Sequence, residues 1–92
     1  MLAAGGLDAV HLLLPPAAHA AAAKAVLDAG LPVYVEKPMC LWPDECRDLE
    51  AHPAAGRLAV GHNFLFDPAY ERLKADLAAG RLGKVEHVTI LW

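Results

Sequence analysis

The chain of 92 residues predicts an α/β protein, a partial parallel sheet with helices on its faces. Three observations carry that expectation. Short apolar runs alternate with helical segments along the chain. The segment between the first two runs, residues 15–31, is long enough for a helical crossover between parallel strands. Apolar residues make up 57% against 21% charged, which supplies a core and excludes a disordered tail.

The run Asp8-Ala9-Val10-His11-Leu12-Leu13-Leu14, closed by Pro15-Pro16, reads as a strand buried on both faces. Residues 17–29 are Ala-rich, carry Lys24 and Asp28 at i,i+4, and read as a helix. Gly30 stands where a helix end favours positive φ, and Pro32-Val33-Tyr34-Val35 supplies the β-branched and aromatic residues of a second strand. After Glu36-Lys37-Pro38 a second helix begins with Pro43 at its first position and Asp44 and Glu45 near the positive end of its dipole. Trp42 has no side-chain oxygen to cap that helix, so a weakly fixed start is expected. Pro53 disfavours helical geometry at His52 and predicts an end near Ala51. Residues 57–60 fit a third strand. Residues 68–79 read as a third helix with Tyr70, Leu73 and Leu77 in one stripe, ended by Gly80. Gly83 follows in a tight connection, and residues 84–92 alternate as a fourth strand.

Several function classes are excluded. A net charge of −3 offers no basic footprint for nucleic acid. No stretch reads as a membrane span, and residues 1–8 lack the basic region of a secretory signal, so a cytoplasmic location is expected. Cys40 and Cys46 are not spaced as C-x-x-C and are expected as free thiols; no H-E-x-x-H or zinc-type spacing exists, so no metal is expected. Serine is absent, which excludes a serine hydrolase. The glycines, at 5, 6, 30, 56, 61, 80 and 83, form no G-x-G-x-x-G, the turn that cradles a dinucleotide's phosphates. An interior-type strand so near the start and an ending within another strand give the chain the look of a fragment.

Ligands of open parallel sheets bind outside the carboxyl ends of the strands. The loops after Leu14, Val35 and Val60 are therefore expected on one side, bringing Pro15, Pro16 and His19 towards Glu36, Lys37 and Pro38 and towards Gly61, His62 and Asn63. A lysine in such a cleft is desolvated, can hydrogen-bond a substrate oxygen, and can relay a proton during oxidation of an alcohol. Glu36 and Lys37 as a solvated surface turn is the competing reading. The Lys37–Pro38 bond is expected to be trans, the majority form of X-Pro bonds. His19 can meet a ligand, cap its helix or face solvent. His11 reads as a packed or edge residue, and His52 and His87 have no evident partner. His62 and Asn63 can orient each other or a ligand, or belong to a loop satisfied by its own backbone.

Taken together, Asp8-Ala9-Val10, Pro15-Pro16-x-x-His19, Ala29-Gly30, Val35-Glu36-Lys37-Pro38-Met39, Val60-Gly61-His62-Asn63 and Gly80-Arg81-Leu82-Gly83-Lys84-Val85 resemble the glucose-fructose oxidoreductase and inositol dehydrogenase family, Gfo/Idh/MocA. The resemblance covers nearly the whole chain. It implies an oxidoreductase using NAD or NADP, with residues 1–83 as the C-terminal half of a Rossmann-like dinucleotide-binding domain and residues 84–92 as the first strand of a following α/β substrate domain. Lys37 would then be the active-site lysine beside nicotinamide and substrate, and Glu36 would lie near the nicotinamide ribose. Pro15, Pro16 and His19 would line the cofactor, and Asn63 would edge the pocket. The implied reaction is hydride transfer from a sugar, polyol or related hydroxyl compound. The isolated fragment is expected to be inactive, and the parent to be a homo-oligomer with a small-molecule substrate. The chain departs from the family in carrying Leu65 where Arg is frequent and Trp42 where a Thr or Ser cap is frequent. A non-catalytic binding or assembly module that keeps the scaffold is the alternative.

Overall fold

The computed structural model describes Leu2 and residues 5–89. They divide into two compact units, Met1–His62 and Asn63–Trp92. In the first, strand β1 (Val10–Leu12) leads through a 3₁₀ turn (Pro16–Ala18) into helix α1 (His19–Asp28), then strand β2 (Val33–Val35), helix α2 (Pro43–Glu50), a 3₁₀ turn (Ala55–Arg57) and strand β3 (Leu58–Val60). The strands form one sheet in the order β1-β2-β3, with Val10, His11 and Leu12 opposite Val33, Tyr34 and Val35, and these opposite Leu58, Ala59 and Val60. Both pairings are parallel.

The sheet has a closed face and an open one. Val10, Leu12, Val33 and Val35 pack with Ala23, Val26 and Leu27 of α1 and Leu49 of α2 in one buried cluster. The alternate residues, His11 and Ala59, are exposed and Tyr34 is half-buried. The expectation that the first strand is buried on both faces is thereby corrected. Helices α1 and α2 both cover the same side, and Leu13 beyond the strand is 72% exposed. An apolar run does not by itself say how many faces are covered.

Local chemistry sets the helix limits. Gly30 has φ 74° and its N–H donates to the Leu27 carbonyl at 2.9 Å, closing α1. Asp28 sits unfavourably at the negative end of the helix dipole. There Lys24 Nζ donates to its Oδ2 at 2.7 Å, and His52 Nε2 lies 3.0 Å from its Oδ1. These two partners, Lys24 first, hold the Asp28 carboxyl below its usual range. His52 Nδ1 accepts the Ala54 N–H at 3.0 Å, so it is Nε2 that donates to Asp28. His52, without an evident partner in the sequence, thus ties α1 to the segment that follows α2.

The start of α2 is better fixed than Trp42 predicts. Glu45 reaches back, and its Oε2 accepts the N–H groups of Leu41 and Trp42, each at 3.1 Å. The cap comes from the third helical residue instead of the N-cap side chain, half of a capping box. The helix ends at Ala51, as Pro53 predicts.

In the second unit a 3₁₀ turn (Asn63–Phe66) precedes helix α3 (Pro68–Ala78). Asp67 caps that helix by accepting from Ala69 and Tyr70. Its stripe of Tyr70, Leu73 and Leu77 remains about 40% exposed. Gly80 and Gly83 carry φ of 69° and 65°. The fourth strand expected over 84–92 is not formed in its described part: residues 85–89 have no strand pairing, and 90–92 lie outside the described residues. A strand exists only with a hydrogen-bonded neighbour, and alternation in the sequence does not supply one.

Candidate functional site

Because β1, β2 and β3 are parallel, their carboxyl ends lie along one edge of the sheet. Backbone bonds stitch that edge beyond the strands. The Glu36 N–H donates to the Leu12 carbonyl at 3.4 Å and the Gly61 N–H to the Val35 carbonyl at 2.9 Å. Loops after all three strands are therefore neighbours.

His19, the first residue of α1, joins two of these loops. It is 1% exposed. Nδ1 lies 2.7 Å from the Pro38 carbonyl oxygen and Nε2 2.7 Å from the Leu14 carbonyl oxygen. Both partners are pure acceptors, so the two contacts are hydrogen bonds together only when each ring nitrogen carries a proton. Of the roles open to His19 in the sequence, the structure shows neither a helix cap nor a solvated residue. The ring is buried and both nitrogens are spent on the backbone, one on the loop after β1 and the other on the loop that carries Lys37.

The Lys37–Pro38 bond is cis, which corrects the trans expectation. General populations of X-Pro bonds do not include the tertiary surroundings, and here the Pro38 carbonyl is held by His19. Lys37 and Pro38 are both exposed, so the burial expected around the lysine is not provided by this unit. Pro15 and Pro16 are exposed at the same edge.

Glu36 faces the open side of the sheet. Its Oε1 lies 3.3 Å from His11 Nε2, and the His11 ring meets Tyr34 edge-on, with centroids 4.7 Å apart at 84°. Gly61 makes room for this group. A Cβ there would stand 3.0 Å from Glu36 Oε2 and 3.1 Å from Tyr34 Oη, closer than ordinary contact. The sequence alone does not mark His11 and Tyr34 as partners of Glu36. Alternation puts residues 34 and 36 on one face, but only the parallel register sets 11 beside 34. His62 is exposed, and its N–H donates to the Val60 carbonyl at 2.8 Å. Asn63, also exposed, opens the 3₁₀ turn of the second unit. No helix among the described residues is long and apolar enough to cross a membrane.

Comparison with known proteins fits this geometry. A family model described as an oxidoreductase family with an NAD-binding Rossmann fold matches residues 1–62. Inositol 2-dehydrogenase 4 of Saccharopolyspora erythraea is 42% identical over 89 residues, covering 91% of this chain and 26% of that protein. Inositol 2-dehydrogenase 1 of the same organism is 40% identical over 81 residues, covering 85% and 24%. The chain thus spans about a quarter of the length of these curated relatives. Among solved structures, an inositol dehydrogenase homolog from Azotobacter vinelandii complexed with NAD+ superimposes with a TM-score of 0.79 at 32% identity, over 86% of this chain and 21% of that one. With the family model spanning the whole β1-α1-β2-α2-β3 unit, the chain belongs to the Gfo/Idh/MocA family of oxidoreductases, whose NAD-binding domain is a Rossmann fold.

Proposed function

We propose that this chain carries the nicotinamide side of an NAD(P)-dependent dehydrogenase acting on a hydroxyl of a sugar, polyol or related compound, with Lys37 as its catalytic residue. One observation carries the reading. Lys37 is exposed immediately beyond the central strand, on a loop whose next carbonyl is gripped by a buried histidine. The names of the inositol dehydrogenases that the chain resembles support a polyol as the substrate class.

The residues present fit one half of the cofactor. Pro15 and Pro16 offer exposed apolar surface at the sheet edge, and Glu36 offers a carboxylate that can accept from ribose hydroxyls. His19 is assigned a positioning part, through the Leu14 and Pro38 carbonyls. The bound nicotinamide would supply the hydride acceptor. Lys37 Nζ would hydrogen-bond the substrate hydroxyl, orient it, and take or relay its proton as the hydride leaves the same carbon. No residue of this sequence forms the glycine-rich turn that holds a pyrophosphate, so the chain alone is proposed to be inactive and to bind NAD(H) weakly.

We also assign residues 1–83 to the second half of the dinucleotide-binding domain and 84–92 to a following substrate domain, whose first strand they would form once a neighbouring strand pairs with them. Support comes from Gly80, whose left-handed backbone closes off α3, and from the Gly80–Gly83 turn that follows it ahead of the alternating stretch.

The test is Lys37→Ala in a full-length protein carrying this chain. Turnover with a polyol should fall by about a hundred- to ten-thousandfold, the usual weight of general acid-base catalysis, with thermal unfolding unchanged. Retained turnover would remove the catalytic assignment.

A further inference from the structure

We propose that Cys40 and Cys46 are a modification site, a dithiol that a peroxide closes into an intramolecular disulfide between the Lys37-Pro38 loop and α2. Their sulfurs stand 2.7 Å apart. A disulfide bond measures about 2.0 Å, so the pair needs to close by only about 0.7 Å. These are the only cysteines in the chain, so no other thiol competes within it. Both are half-buried, held by the protein yet open to a small oxidant.

The surrounding segment is fixed by bonds that do not involve the sulfurs. Glu45 holds the N–H groups of Leu41 and Trp42, and the Cys46 N–H donates to the Trp42 carbonyl at 3.3 Å. Residues 40–46 are thereby folded back so that a loop residue meets a residue in the first turn of a helix. Without that fold-back, thiols six positions apart would have no reason to meet.

Burial, and then the adjacent Cys46 sulfur, push the Cys40 thiol up to about 12. Cys40, held up in this way, is the poorer nucleophile, and the first attack falls to Cys46, which stands in the first turn of α2 at the positive end of its dipole. The Cys46 thiolate attacks one peroxide oxygen; the O–O bond breaks, the leaving oxygen departs as water, and Cys46 becomes a sulfenic acid. The Cys40 sulfur, losing its proton, then attacks Cys46 Sγ. The S–S bond forms, the S–O bond breaks, and a second water leaves. Two thiols are oxidised by two electrons, and one peroxide is reduced to two waters.

The experiment treats the full chain with hydrogen peroxide, alkylates remaining thiols with N-ethylmaleimide, and reads the intact mass. The expected product is a single chain lighter by two hydrogens that takes up no maleimide, and dithiothreitol should restore both thiols. Cys40→Ser should accumulate a sulfenic acid at Cys46 that dimedone traps, whereas Cys46→Ser should keep its remaining thiol. Two maleimides on the treated wild-type chain, a sulfinic acid on one sulfur, or a covalent dimer in place of the internal bond would overturn the proposal. The reverse pattern in the two serine variants would overturn the order of attack. None of these readouts depends on dehydrogenase activity.

Discussion

The two faces of the three-stranded sheet are built from neighbouring residues of the same strands, yet they are held by different forces. On the closed face, Val10, Leu12, Val33 and Val35 meet α1 and α2 in a cluster from which water is excluded. On the open face, His11, Tyr34 and Glu36 meet through an exposed ion-pair geometry and a ring contact. Apolar burial dominates folding, while exposed charge pairs add little. The closed face should therefore carry the stability of the unit, leaving the polar groups on the open face and at the sheet's edge available for binding.

The comparison breaks most easily at Leu49, the one buried residue of α2. Leu49→Ala should lower unfolding free energy in urea by about 2–5 kcal/mol, the range for truncating a buried leucine. A next, smaller effect is expected where the closed face meets the site. His19→Phe keeps the ring but leaves the Leu14 and Pro38 carbonyls without their donor, and should cost about 1–3 kcal/mol in the same measurement. Smaller again is the acid dependence at the end of α1. Asp28 has its folded-state value lowered, so its contribution is fully present above the ordinary 3.8 and is lost as pH falls through the lower folded value. Asp28→Asn should flatten stability against pH in that acid window alone, as read by unfolding at stepped pH. The least effect belongs to the open face. His11→Ala should change stability by less than about 1 kcal/mol, since its contact with Glu36 is 3.3 Å long and solvent-exposed. A loss at His11 as large as that at Leu49 would erase the distinction between the faces.

Much of this arrangement can be read from the sequence wherever a residue acts on its own backbone. Gly30 ends α1, Pro43 starts α2 and Pro53 limits it, because φ preference and a missing N–H are local properties. Lys24 and Asp28 meet because helical spacing alone brings them together. The alternation of strand and helix likewise announces the parallel sheet. Features that depend on distant partners are not legible in that way. Leu13 looks like core in an apolar run but is exposed, since nothing in the run states what will cover it. The sequence offers no cap oxygen at Trp42, and the cap of α2 is supplied by Glu45. His19 looks ligand-facing from its place after a strand, yet its ring turns inward to carbonyls 5 and 19 positions away. For the site, Lys37 and Glu36 stand out through their position beyond an apolar strand. The companions of Glu36, His11 and Tyr34, emerge only with the register.

One consequence of the His19 geometry concerns tolerance. An imidazole is a rigid plate, so its two nitrogens act as a gauge block of invariant width between the Leu14 and Pro38 carbonyls. A shift of the chain after β1 therefore bears on the peptide next to Lys37 through that ring. Flexible donors such as glutamine could satisfy both oxygens chemically and still let that spacing drift, and the peptide beside Lys37 would drift with it.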